Sequence, residues 1–176
     1  MTRVLIADDD TARTFIEQRR ASGHDLYDEM WDGVYRAVPA GTGLHGFVQA
    51  MVTTSLTLRA RQLQLACTGP VNIGRELSYR VPDAAIMATV PIHGGTFFPT
   101  ALLLVEVRTK PDSTYEKFGF YRDHDVQEIV VALPDEQRIE LWARDARPGH
   151  TFRLVEDSAV LQQTGCPSWL ASELGW

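Results

Sequence analysis

The chain has 176 residues, 44% of them hydrophobic, and carries a formal net charge of -6. That length suits one domain with a continuous core and no disulfide or metal staples. The acidic balance speaks against a dedicated nucleic-acid coat, which would normally be basic, but not against a metal-dependent enzyme whose site is itself built from carboxylates.

No apolar run reaches the length of a membrane span, and "MTRVLIADDD" turns acidic before a signal-peptide core develops. A cytoplasmic protein is expected. The two cysteines, Cys67 and Cys166, stand far apart without metal-ligand spacing and read as packed thiols in a reducing compartment.

"RVLIADDD" has the look of the first strand and acidic pocket of a response-regulator receiver. Such a domain needs a phospho-accepting aspartate about half-way along. None occurs between Asp32 and Asp83, so the receiver reading is set aside.

Residues 11–22 form an expected first helix ended by Gly23. "LYDEMWDGVYRAV" reads as two strands around an Asp32–Gly33 turn, the strongest short hairpin signal. After "PAGTG", the residues Leu44, Phe47, Val48, Met51, Val52 and Leu56 recur at helical spacing, predicting a helix to about residue 65. "GPVNIGRELSYRVPDAAIMA" holds one or two strands, of which 81–87 is the clearest. Gly94 and Gly95 mark a loop.

"ALLLVEVRTK" is the least ambiguous strand, and its continuous apolar run predicts a central strand covered on both faces. A helix over "DSTYEKFGFYRDHD" is expected, capped by Ser113 or Asp112. "QEIVVALP" and "RIELWARD" follow as an antiparallel pair, with "HTFRLVE" as one more strand. The tail after Asp157 carries no pattern that assigns it. Helices alternating with strands give an α/β (α+β) class with a central mixed sheet flanked by helices, in one domain over residues 1–176.

Within the apolar strand, Glu106 poses the chemical question, because a lone buried carboxylate is costly. The strand period of two puts Glu106 and Arg108 on one face. If the strand that begins after Pro82 lies alongside, Asp83 joins them. Two adjacent carboxylates raise each other's pKa unless a cation neutralises both, and Mg2+ commonly takes one or two carboxylates plus waters. The plainer alternative pairs Glu106 with Arg108 or Lys110 near solvent.

The order of several pieces resembles the PD-(D/E)XK nuclease superfamily, and within it the Uma-type family of bacterial restriction endonucleases. The pieces are "LYDEMWDGVYRAVPAGTGLHGFV", then "YRVPDAAIM", then "LLLVEVRTKPDSTYEKFGFYRDHDVQEIVVALPDEQRIELWARD". Together they cover about residues 25–155.

The resemblance implies a restriction-endonuclease-like fold and a Mg2+-dependent endonuclease, with Mn2+ able to substitute, hydrolysing phosphodiester bonds in DNA. It implies Asp83 and Glu106 as metal ligands, with the Val107 carbonyl as a third. The superfamily's lysine two residues after the glutamate is here Arg108, which can stabilise charge but stays protonated and cannot act as a base. The family's lysine from the following helix matches Lys117, read as the catalytic cation, against the alternative of a solvated surface lysine.

By the same matching, Glu29 is a further metal ligand or else a hairpin charge. His45 contacts substrate phosphate or is structural. Arg75, Arg80 and Arg122 are candidates to meet nucleic-acid backbone, against the plainer reading of scattered arginines without that role, and His24, His93, His124 and His150 have no ligand spacing. A homodimer would supply two sites for two strands. The alternative is a non-catalytic nucleic-acid-binding or regulatory protein that keeps the fold, favoured by Arg108 and the net negative charge.

Overall fold

The computed structural model describes residues 9–90, 95–109, 113–147 and 149–176. The opening stretch 1–8, His93, Gly94, Lys110 and Asp112, each read above, lie outside the described residues. The first helix, α1, spans Asp9–Ala21, and the hairpin follows as β1 (Glu29–Trp31) and β2 (Val34–Arg36), paired antiparallel. Asp32 and Gly33 both take positive φ, 50° and 85°, as a two-residue primed turn requires.

Helix α2 covers Gly43–Gln62, with the Thr42 hydroxyl accepting from the His45 backbone N–H at 3.2 Å. Of the residues whose spacing predicts this helix, Val48, Val52 and Leu56 are buried together with Ala60, whereas Leu44 and Phe47 in the first turns are exposed.

Six strands form the larger sheet, in the order β11-β10-β9-β8-β6-β3. These are β3 (Ala66–Thr68), β6 (Ala84–Met87), β8 (Leu103–Val107), β9 (Glu128–Leu133), β10 (Arg138–Arg144) and β11 (Phe152–Val155). Strand β8 is central, antiparallel to β6 and parallel to β9, and all five of its residues are buried. Alternation sends Leu103, Val105 and Val107 towards α2 and the last helix, α4 (Cys166–Leu174), while Leu104 faces Tyr121 and Phe118 on the other side. The continuous apolar run thus does mark a doubly covered strand.

Where one central sheet was expected, the described residues contain two. The second joins the β1–β2 hairpin to β5 (Ser78–Arg80), β4 (Asn72–Arg75) and β7 (Phe97–Phe98), in the order β2-β1-β5-β4-β7. The expected helix over 112–125 is two pieces, a 3-10 turn at Thr114–Lys117 followed by α3, which ends at Asp123 (Phe118–Asp123), and the Ser113 side chain makes no capping bond. Such turns are frequent where α-helices begin. The unassigned tail becomes α4, packed against α2 and β10.

Candidate active site

Antiparallel pairing of β6 with β8 sets Ala84 opposite Val105. One step further, Asp83 and Glu106 meet on the same face of neighbouring strands. The Asp83 N–H donates to the Val105 carbonyl at 2.9 Å, and its Oδ2 accepts from the Val107 N–H at 2.7 Å. Its Oδ1 lies 3.0 Å from His45 Nε2, and its carbonyl accepts from the Gln49 amide at 2.9 Å. The first two turns of α2 are thereby tied to the start of β6.

Glu106 is 4% exposed and carries two kinds of donor. Lys117 Nζ lies 3.2 and 3.1 Å from its two oxygens, and the Tyr121 hydroxyl donates to Oε1 at 2.6 Å. The same ammonium sits 2.9 Å from Glu29 Oε1. Glu29, 2% exposed, is further held by the Val81 N–H at 2.9 Å and the Trp31 indole N–H at 2.7 Å. Lys117 therefore bridges a carboxylate of the small sheet and one of the large sheet, and is no solvated surface lysine: its side chain is 11% exposed.

Electrostatics follow from this crowding. Burial pushes the Glu106 carboxyl up to about 7; Lys117 pulls it down, Asp83 and Glu29 push it further up, and the Tyr121 bond pulls it down. Burial pushes the Lys117 ammonium down, but Glu106 and Glu29 more than reverse this and hold it above its ordinary value. Tyr121 stays protonated, its ionisation opposed first by burial and then by Glu106 and Glu29.

Glu29, His45, Asp83, Glu106 and Lys117 all line one cleft of about 510 Å³, floored by Val81 and Val107 and rimmed by the 38–42 loop, Thr109, Ser113 and Thr114. Arg108, whose side chain shares the strand period with Glu106, is not among the lining residues. Its guanidinium lies 5.1 Å from the Tyr115 ring centre. Arg80 is buried, which withdraws it from any nucleic-acid backbone.

Two contributors escaped the sequence reading. Tyr121 stands four residues after Lys117, a spacing that puts both on one helix face. Trp31 stands two after Glu29 on a strand, again one face. Both spacings were readable, but neither says that a hydroxyl or an indole N–H points at a carboxylate.

A divalent cation fits the donor set in part. Each carboxylate offers about four acceptor positions, so Asp83 and Glu106 keep lone pairs beyond the bonds described. Among the described residues no group of three or more His, Cys, Asp or Glu is arranged to hold a metal. Two carboxylates completed by water or phosphate oxygens is nonetheless a usual setting for Mg2+.

The mixed sheet with acidic residues at adjoining strand ends is a nuclease-like fold. The chain superposes on the crystal structure of "a putative nuclease belonging to DUF820" from Anabaena variabilis ATCC 29413, with a TM-score of 0.64 at 15% identity, covering 84% of this chain and 90% of that one. No curated protein matches it in sequence. The chain belongs to the Uma2 family, described as "Putative restriction endonuclease", whose profile matches residues 15–169. No helix among the described residues is long and apolar enough to cross a membrane.

Proposed function

We propose that the protein is a Mg2+-dependent endonuclease that hydrolyses phosphodiester bonds in DNA. One observation carries the reading: Asp83 and Glu106 share a cleft with an ammonium that arrives from the helix after β8 rather than from β8 itself. Asp83 and Glu106 would hold the cation. When bound, it supplies Lewis-acid polarisation of the phosphodiester and a lowered pKa for the attacking water.

The chain's own groups do the rest. Lys117, kept charged by its two carboxylates, stabilises negative charge that develops on the phosphate oxygens. Glu29 orients Lys117 from the opposite side, a role its bonds to Val81, Trp31 and Lys117 favour over direct ligation. His45 steadies Asp83 and faces the cleft where a phosphate would enter. Tyr121 fixes the orientation of Glu106. Arg108, stacked near Tyr115, has no part in this scheme.

The test is incubation of the purified protein with plasmid and single-stranded DNA in Mg2+ or Mn2+, beside an Asp83→Ala, Glu106→Ala variant. Cleavage by the parent that disappears in the variant is expected. A folded parent that neither cleaves nor gains thermal stability from the cation would instead indicate a non-catalytic binding protein.

A further inference from the structure

Arg80 ends β5 and is only 4% exposed. A guanidinium withdrawn from water is expensive unless its charge and donors are met. Its Nη1 donates to the Met30 and Tyr79 carbonyls at 2.8 and 3.2 Å, while its Nε is buried with no hydrogen-bond partner among the described residues. Aromatic rings make up much of its surroundings. Its central carbon lies 4.0 Å from the ring centre of Trp31 and 4.1 Å from that of Phe120. The stack extends at both ends, with Arg36 at 3.5 Å from Trp31 and the His124 ring at 3.9 Å from Phe120.

The two rings belong to the two halves of the site. Trp31 is on β1 in the small sheet and holds Glu29 through its indole N–H. Phe120 is on α3, flanked by Lys117 and by Tyr121, the two side chains that reach Glu106 on the large sheet. One ammonium lies within 2.9 Å of Glu29 and 3.1 Å of Glu106, so the small sheet and α3 must keep a fixed separation. Arg80 touches both. An aliphatic residue could fill its volume, and a lysine could carry its charge, but only the planar guanidinium can lie face-on between two rings.

We propose that Arg80 is a positioning residue: clamped between Trp31 and Phe120, it sets the small sheet against α3 and so keeps the Lys117 ammonium shared between Glu29 and Glu106. Any effect on turnover rests on the nuclease reading; the placement of Lys117 does not.

The chain has two lysines, Lys110 and Lys117, so a proton–nitrogen correlation spectrum of side-chain ammonium groups reports Lys117 almost alone. A buried, hydrogen-bonded ammonium exchanges slowly and gives a sharp signal. In Arg80→Met that signal is expected to broaden or shift while thermal unfolding stays cooperative. Arg80→Lys adds a third ammonium, so there the Lys117 signal is assigned by its loss in a Lys117→Arg version, and it is expected to do the same. With DNA as substrate, kcat should fall about a hundredfold with KM little changed, the scale of effect a misplaced catalytic group produces.

An unchanged Lys117 signal in folded Arg80→Met overturns the proposal, and full recovery in Arg80→Lys overturns the part played by the planar group. Should Arg80→Met fail to fold, Phe120→Leu removes one ring and leaves Arg80, and an unchanged signal there overturns the proposal equally. If the parent cleaves no DNA, the nuclease reading falls while the ammonium signal still decides the role of Arg80.

Discussion

At Glu106 burial and neighbouring charge act on a single proton. Its carboxyl is held at about 7 in the folded protein against an ordinary 4.5 in the open chain. The folded state thus binds that proton more tightly. The contribution of this group to stability is fully present below about 4.5 and is lost as pH rises through 7. Glu106→Gln is neutral at every pH and escapes that loss. In EDTA, the variant should therefore be more stable than the parent at pH 8 and lose the advantage by pH 5. The upper bound is about 3 kcal/mol, from 1.36 kcal/mol per pKa unit, and the weakened bond to Lys117 will reduce it. Urea unfolding across that pH range checks it; parallel profiles for the two proteins would show that Glu106 is not the titrating group. The charge problem at this residue was legible from "LLLVEV" alone, because a carboxylate in an apolar strand needs a partner. Which partner was not, since Lys117 and Tyr121 reach it only once the 3-10 turn and α3 have folded back over β8.

The elements that carry these residues depend on close backbone approaches. Gly74 in β4 takes φ 119°, and a Cβ placed there would lie 2.3 Å from the Ser78 carbonyl oxygen and 2.9 Å from Phe120 Cζ. Gly74→Ala should therefore strain the β4–β5 hairpin and push Phe120 off its seat, costing about 2 to 4 kcal/mol. Gly119, inside α3, has nothing within 4 Å of its added Cβ. Its alanine variant serves as the control and should gain up to about 1 kcal/mol by removing a helix-interior glycine. Thermal or urea unfolding of the pair decides, and equal effects would refute the steric account. Elements were readable where a local pattern was strong: the Asp32–Gly33 turn, the helical spacing of Val48, Val52 and Leu56, the apolar run of β8. The second sheet was not, because β5 and β7 are only three and two residues long and exist only through their partners. In the tail, Gly165 and Gly175 flank α4, and Pro167 falls in its first turn. Those signals were present in the sequence without an amphipathic repeat to connect them.

Taken as a whole, the molecule is poorly charged for its proposed substrate. The net charge is -6, and the cleft holds Glu29, Asp83 and Glu106 against Lys117 and His45. Several arginines already face acids: half-buried Arg122 with Asp123, and exposed Arg144 with Asp125, Arg147 with Asp145 and Arg138 with Glu136. Polyanion binding usually draws on uncompensated cations, and a cleft of net negative charge repels a phosphate. A divalent ion between Asp83 and Glu106 would reverse the sign of that local field, so DNA affinity itself, not turnover alone, should depend on it. Calcium has the same charge and oxygen preference as magnesium but a looser coordination geometry, and serves as the non-cleaving probe. In fluorescence anisotropy with a labelled duplex, binding should be about tenfold or more tighter in Ca2+ than in EDTA, a difference of about 1.4 kcal/mol. The Asp83→Ala, Glu106→Ala variant should lose that difference while remaining folded. Equal affinity with and without the ion in the parent would mean that DNA is held by another face of the protein, and the cleft would then have no claim on the substrate.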